Sequence, residues 1–204
     1  MVKTSLTPFE NAQKRAVDFI LAIILLGLTW WIILLAWAVA CISTGRNGFF
    51  FQVRIGRWGK PFKVIKIRTM RPSATIQTTA TTSKDSRITT FGAWLRRYKI
   101  DELPQLFNVL VGQMSFVGPR PDVPGFADRL EGDARAILSL RAGVTGPATL
   151  HFRHEEELLA DQEDPDAYNR NVIFPKKVDL NLEYIRKYSM WSDFKYIIQT
   201  ALGR

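Results

Sequence analysis

Cysteine is almost missing from this chain. Of 204 residues only Cys41 is one, so no internal disulfide forms, which agrees with a reducing compartment for the globular part. Histidine is nearly as scarce. His151 and His154, beside Glu155 to Glu157, hint at a metal cluster, but no further histidine or cysteine completes it. Charge and proline are both missing from Phe19 to Ser43, and acidic side chains are missing from Arg46 to Lys84. There is no internal repeat. The single low-complexity stretch, the Ser/Thr-rich segment from Ser73 to Thr90, is expected as a loop, either a passive surface loop or a lid. A hydrophobic content of 47% excludes wholesale disorder. The net charge of +9 points to anionic partners: acidic lipid, phosphorylated substrates or nucleic acid.

The uncharged run holds about 25 residues, against the ~20 that a helix needs to cross a hydrocarbon core. It is too long for a signal-peptide core and no small-residue cleavage site follows it. A buried helix of a soluble protein is the alternative. Lys14 and Arg15 precede the run, and Arg46, Arg54, Arg57, Lys60, Lys63, Lys66, Arg68 and Arg71 follow it. Positive flanks favour the cytoplasmic side. A spanning helix would put one basic end outside, whereas a re-entrant helix would keep both inside; charge alone leaves both open. Asp18 is expected to pair with Lys14 and Arg15 at the interface, or else to be a surface carboxylate.

Beyond the run, Phe62 to Thr69 reads as a strand with Lys63 and Lys66 near a basic face, after a turn marked by Gly56, Gly59 and Pro61. Phe91, Trp94 and Leu95 fit a short helix ending in Arg96, Arg97 and Lys99. Pro104 is tolerated only in a first helical turn, so a helix should begin near Asp101 or Glu102. The plain reading of these two carboxylates is an N-cap. The alternative is chemistry, since three cations precede them and would let an anionic substrate approach. In Gly118-Pro119-Arg120-Pro121 the prolines restrict the backbone around a guanidinium, a fork suited to phosphate; a structural salt bridge is the other reading. From Val178 to Arg204 helical spacing returns, with Tyr184, Tyr188, Trp191 and Tyr196 suited to a membrane interface or to packing on the core.

These residues together resemble the small monotopic phosphoglycosyl transferases, the bacterial sugar transferase family. The resemblance rests on Lys14-Arg15 with Asp18, on Phe62-Lys63-x-x-Lys66-x-Arg68-Thr69-Met70, on Asp85-x-Arg87-Ile88-Thr89 and on Gly92-x-x-Leu95-Arg96-Arg97. Its most specific part is Asp101-Glu102-Leu103-Pro104-Gln105-Leu106-Phe107-Asn108-Val109. Gly112-x-Met114-Ser115-Phe116-x-Gly118-Pro119-Arg120-Pro121 and Arg141-x-Gly143-Val144-Thr145-Gly146 follow in order.

The resemblance implies an α+β protein. Residues 1–44 would form a re-entrant membrane helix, anchored by Lys14, Arg15, Asp18, Trp30 and Trp31. Residues 45–204 would form a small mixed cytosolic catalytic domain with short strands and amphipathic interfacial helices. It implies transfer of a sugar 1-phosphate from a UDP-sugar to undecaprenyl phosphate with release of UMP, at the cytoplasmic face of a bacterial inner membrane. In that scheme Asp101 is the nucleophile that carries a covalent phosphosugar, Glu102 binds Mg²⁺, and Lys66, Arg68, Arg87, Arg96, Arg120 and Arg141 bind phosphate or substrate. The implied partners are membrane lipids and downstream glycosyltransferases, with no nucleic acid.

The chain departs from the family pattern in three places. Trp30-Trp31 stands where the family helix has its proline-containing break, Ala142 replaces the usual proline after Arg141, and residues 151–175 do not match, which leaves the sugar open. The competing reading is a membrane-anchored basic module that binds anionic lipid or nucleic acid without catalysis. It accounts for the basic stretch up to Arg71 but not for the Asp101–Gln105 or Gly118–Pro121 motifs.

Overall fold

A computed structural model describes residues 4–72 and 85–203. The Ser/Thr-rich stretch read as a loop falls, over residues 73–84, outside the described residues.

The first helix, α1, spans Pro8–Thr44 and so begins well before the uncharged run. Thr7 caps it: its hydroxyl accepts from the Glu10 N–H at 3.2 Å while the Glu10 carboxylate accepts from the Thr7 N–H at 2.8 Å, a reciprocal capping box. Gly45, at φ 67°, ends it in the left-handed conformation that a residue without Cβ adopts cheaply. Between these caps α1 continues without a break through Trp30-Trp31. The uncharged run contains no proline to break the hydrogen-bond ladder of α1.

One stripe of α1 is buried along almost its entire length: Lys14, Asp18, Ala22, Ile33, Ala36, Ala40 and Thr44. The spacing is that of one helix face. The opposite face, including Ile20, Leu28, Trp31, Leu35 and Ile42, is exposed.

The charged anchors lie differently from expectation. Lys14, Arg15 and Asp18 do not pair with one another at a lipid boundary; they dock α1 onto the rest of the chain. Lys14 meets Asp193 at 2.5 Å, with both side chains only 6% exposed. Arg15 donates to the carbonyls of Val109 and Leu110 at 2.6 and 2.7 Å, where helix α3 (Gln105–Leu110) ends. Helix ends leave such carbonyls without intrahelical donors, and a guanidinium supplies two. Asp18 accepts from the Ser115 hydroxyl and the Phe116 N–H at 3.1 and 3.0 Å, on strand β3 (Met114–Val117). Each partner lies far away in sequence, which is why local charge spacing pointed elsewhere.

Strands β1 (Phe49–Ile55) and β2 (Pro61–Ile67) form an antiparallel hairpin, with Phe50 opposite Lys66 and Arg54 opposite Phe62. Strand β3 pairs in parallel with β4 (Ala142–Thr145). Helix α2 covers Thr90–Arg97, close to the reading from spacing. After β4 come α4 (Pro147–His151), α5 (Glu155–Ala160), α6 (Pro165–Tyr168), α7 (Phe174–Arg186) and α8 (Met190–Ala201). The tail is therefore two helices rather than one, because Ser189 and Ser192 form a capping box that starts α8 afresh.

Residues 1–44 and 45–204 share their cores. Ala22 packs with Val64, Leu106, Val109, Met114, Phe116 and Tyr184. Ile33, Ala36 and Ala40 pack with Ile67 of β2 and Leu95 of α2, flanked by Ile100 and Leu103. Those last two residues bracket Asp101 and Glu102, so the turn carrying both carboxylates is clamped against α1.

Candidate active site

Asp101 and Glu102 do not sit on α3. They occupy a 3₁₀ turn, Ile100–Glu102, that precedes it, with Pro104 just before the first residue of α3. Lys99 makes the turn possible. It closes α2 with φ 57°, a left-handed position where glycine is usual and a lysine costs about 1 kcal/mol. Its ammonium favours the ionised form of Asp101, two residues on.

Glu102 is the electrostatic centre. Its Oε1 accepts from Lys66 at 3.0 Å and from Arg120 at 2.9 Å. Burial opposes its ionisation, but Arg120 and Lys66 outweigh burial and hold its pKa well below the usual carboxylate range. Asp101 is the opposite case. It is buried, its Oδ1 has no hydrogen-bond partner, and burial together with the charge of Glu102 pushes its pKa up to about 6. Two adjacent carboxylates are thus made different: one is neutralised by cations, the other left open and more basic. A buried oxygen without a protein partner is uncommon.

Three pieces of local structure aim the cations. Asn108 on α3 ties that helix to the edge of β2: its amide accepts from Ile65 N–H at 3.0 Å and donates to Lys63 C=O at 2.8 Å. This fixes β2 so that Lys66, one residue past Ile65, reaches back to Glu102. Arg120 is held by a backbone-to-backbone lock. Gly118 N–H donates to Thr145 C=O at 2.9 Å and Gly143 N–H to Pro119 C=O at 2.8 Å. A Cβ on Gly118, Gly143 or Gly146 would collide with the facing backbone, so the two glycine-bearing motifs exist to let these loops touch. Strand alternation supplies the third piece. Gln52 and Arg54 on β1 share a face with Val64 and Lys66 on β2. A small recess is lined by Arg54, Val64, Lys66, Gln105, Arg120 and Pro121.

Arg54 is the residue that motif reading passed over, although its period-two relation to Gln52 was a usable signal. Burial and the nearby Arg120 lower its pKa from the ordinary guanidinium value, with Asp122 and Glu102 opposing. It donates to Pro121 C=O at 3.3 Å and to Gln52 at 2.7 Å. Asp122 lies beyond it, its pKa pushed up to about 6 by burial against the opposing charges of Lys177 and Arg54.

The other expected ligands spread out. Arg96 lies within electrostatic reach of both Asp101 and Asp85. Arg87 chelates Asp85, at 2.6 Å for its shortest contact, and so belongs to the segment that leads into α2. Arg68 donates to the carbonyls of Asn47 and Phe49 and closes the link between α1 and β1. Arg141 donates to Gly112 C=O at 3.0 Å, among Arg57, Arg15 and Asp18 rather than beside Glu102. The basic stretch after α1 is thus divided between backbone ties and the recess. Trp30 and Trp31 are exposed on α1. His154 faces Glu157 at 3.4 Å at the surface, while His151 packs on Phe152.

The description of the family whose model matches this chain is "Bacterial sugar transferase", and the match runs over residues 9–203. The chain belongs to the bacterial sugar transferase family. That stretch covers every member of the Glu102 cluster. A UDP-glucose:undecaprenyl-phosphate glucose-1-phosphate transferase of Xanthomonas campestris pv. campestris is 38% identical over 197 residues, which is 93% of this chain and 38% of that protein. The Escherichia coli (strain K12) protein of the same description is 36% identical over 97% of this chain and 41% of its own length. The chain therefore spans about two-fifths of these relatives. A putative undecaprenyl-phosphate N-acetylgalactosaminyl 1-phosphate transferase of Bacillus subtilis (strain 168) is 41% identical over 74% of this chain and 82% of its own length.

Proposed function

We propose that this chain transfers a sugar 1-phosphate from a UDP-sugar to undecaprenyl phosphate in two steps through a phosphosugar carried on Asp101. The observation that carries the reading is the divided carboxylate pair: a buried, unpartnered Asp101 oxygen beside a Glu102 neutralised by Lys66 and Arg120. In the first step an Asp101 oxygen attacks the phosphorus that bears the sugar, the bond from that phosphorus to the bridging oxygen breaks, and UMP leaves. In the second, an oxygen of undecaprenyl phosphate attacks the same phosphorus and the bond to Asp101 breaks. Lys66, Arg120 and Arg54 offset the charge of the diphosphate, the principal task in phosphoryl transfer. A raised pKa makes Asp101 a better nucleophile once ionised than an ordinary aspartate.

The residues fit Mg²⁺. The unpartnered Asp101 oxygen and the carboxylate of Glu102 are hard donors, and substrate phosphates and water would supply the rest of a shell that proteins seldom build alone. Bound there, Mg²⁺ would add positive charge where the leaving phosphate develops negative charge.

The turn with Asp101 is clamped on α1, the one described helix long and apolar enough to cross a membrane. That supports a location where a lipid phosphate can reach it, at the cytoplasmic face of the bacterial inner membrane, with both ends of α1 on that side. The product, a sugar on a lipid diphosphate, is a substrate for further glycosyl transfer.

UDP-glucose heads the candidate donors because relatives at 36–38% identity carry that sugar in their descriptions, with UDP-N-acetylgalactosamine next. The test is UMP release by the purified protein in lipid, given Mg²⁺, undecaprenyl phosphate and a panel of UDP-sugars. Release with at least one sugar, abolished by Asp101→Asn, is expected. No release with any of them would refute the transferase reading.

A further inference from the structure

We propose that Arg15, Arg57 and Arg141 form a second anion site, separate from the one around Glu102, and that it holds the phosphate of a phospholipid headgroup. The proposal does not rest on the transferase reading, and its test does not involve catalysis.

Shared contacts bring the three guanidiniums together from distant parts of the chain. Arg15 and Arg141 meet over Gly112. Arg141 Nε donates to Gly112 C=O at 3.0 Å, and a Cβ on Gly112 would lie 3.4 Å from the Arg15 guanidinium carbon. Arg57 closes the group. Its Nε donates to Ser139 C=O at 2.7 Å, two residues before Arg141. Its Nη2 donates to the Asn11 side-chain oxygen at 3.4 Å, one helical turn before Arg15. All three arginines are half-buried. The cations that act on Asp101 and Glu102 are Lys66, Arg96, Lys99 and Arg120, not these three.

The charge of the group is left unbalanced. Among the described residues none of the three forms an ion pair. Their partners are carbonyl oxygens and one amide, which satisfy N–H groups without cancelling charge. Asp18 is the carboxylate that acts on Arg141, but its Oδ1 is already taken by Ser115 and Phe116. Burial lowers the Arg141 pKa, and the charges of Arg57 and Arg15 lower it further. Gathering like charges away from water is costly, and a bound anion offsets that cost. The Nη groups of Arg141 have no hydrogen-bond partner among the described residues, so its planar fork is left for a ligand. That fork matches the oxygens of a phosphate.

The rim of the site selects the source of the phosphate. Arg57 stacks on the exposed Trp58 ring, 4.8 Å from its centroid, and Arg15 lies 5.5 Å from the exposed Phe19 ring. Val111, beside Gly112, is exposed as well. Open apolar side chains around a cationic pocket suit a phosphate that brings acyl chains with it better than a free, fully hydrated one. The position agrees. Asn11 and Arg15 precede the uncharged run that starts at Phe19. Arginine flanks and tryptophan are both favoured at the headgroup level where such a run meets water.

The test uses the full chain in detergent and native mass spectrometry. Dioleoylphosphatidylglycerol, dioleoylglycerol and inorganic phosphate are titrated separately. Phosphatidylglycerol should be retained by the parent protein and dioleoylglycerol should not. In Arg57→Gln/Arg141→Gln, retention of phosphatidylglycerol should weaken by about tenfold or more, because charge-assisted hydrogen bonds are lost. Equal retention of dioleoylglycerol would show apolar contact alone and overturn the proposal, as would unchanged retention by the double variant. Binding of inorganic phosphate without retention of the lipid would make this a soluble-anion site and overturn the lipid assignment. Arg15 stays in place because it caps α3, and a thermal midpoint checks that the variant folds. Should it not fold, the unaltered protein decides. Phosphatidylglycerol with a photoreactive diazirine in its headgroup should label peptides that contain Trp58 or Val111, and labelling confined to other peptides would overturn the site.

Discussion

Replacing Lys14 by Met tests the docking of α1 with a magnitude that the structure sets. Asp193 is buried and accepts from Lys14 at 2.5 Å and from the Tyr184 hydroxyl at 2.5 Å. Removing one partner of a buried ion pair costs about 3–5 kcal/mol, because a carboxylate is left in a poor medium with too little to neutralise it. Tyr184 stays in place, so the lower end, about 3 kcal/mol, is expected. For a chain of this size each kcal/mol moves the midpoint by roughly 2–4 °C, so the loss is about 6–12 °C. The assay is thermal unfolding followed by tryptophan fluorescence, in lipid nanodiscs and at one scan rate. The pH dependence follows from the sign of the shift. Burial already raises the pKa of Asp193, and without Lys14 it rises further. The folded variant then binds this proton more tightly than the unfolded chain does, so acid favours its folded state. The deficit against the parent protein should narrow as the pH is lowered. Asp193→Leu added to Lys14→Met should restore most of the loss. A Lys14→Met midpoint within about 2 °C of the parent would refute the reasoning, since no buried charge would then have been uncovered.

Arg120→Lys keeps the charge but loses the planar fork that meets Glu102; turnover should fall at least tenfold, with donor KM raised, and parent-like kinetics would show that a point charge suffices. Arg54→Met removes the third cation of the recess, and binding of UMP, measured by calorimetry, should weaken by about 10-fold, as expected for a loss of ~1.4 kcal/mol; unchanged binding would take Arg54 out of the site. Gly143→Ala forces a methyl into the backbone of the Gly118 loop, so a loss of about 1–3 kcal/mol in stability and a displaced Arg120 are expected; an active, equally stable variant would show that the lock is dispensable.

Much of this was legible in the sequence because it is local. The uncharged run gave a long helix, Pro104 and the glycines marked the turns, and Asp101-Glu102 with Gly118–Pro121 named residues that the structure brings together at the candidate site. What was not legible depends on contacts across the chain. Lys14 and Asp18 looked like each other's partners, but their partners are Asp193 and β3. Arg141 and Arg68, expected as phosphate ligands, donate to backbone carbonyls far away in sequence, a placement that their motifs do not reveal. Arg54 stood in a hydrophobic-basic alternation without a motif of its own, and only strand pairing puts it on the face that carries Lys66. The helix start was read one turn too close to the carboxylates, because a 3₁₀ turn opened by Lys99 has no distinctive composition.

The most direct test of the central claim is the mass of the intact protein after incubation with Mg²⁺ and its UDP-sugar in the absence of undecaprenyl phosphate. The two-step account predicts UMP release limited to the amount of enzyme and a mass gain equal to one phosphosugar. Peptide mapping should place that gain on Asp101, and undecaprenyl phosphate should discharge it. UMP release that requires undecaprenyl phosphate, with no mass gain in its absence and full activity in Asp101→Asn, would contradict it.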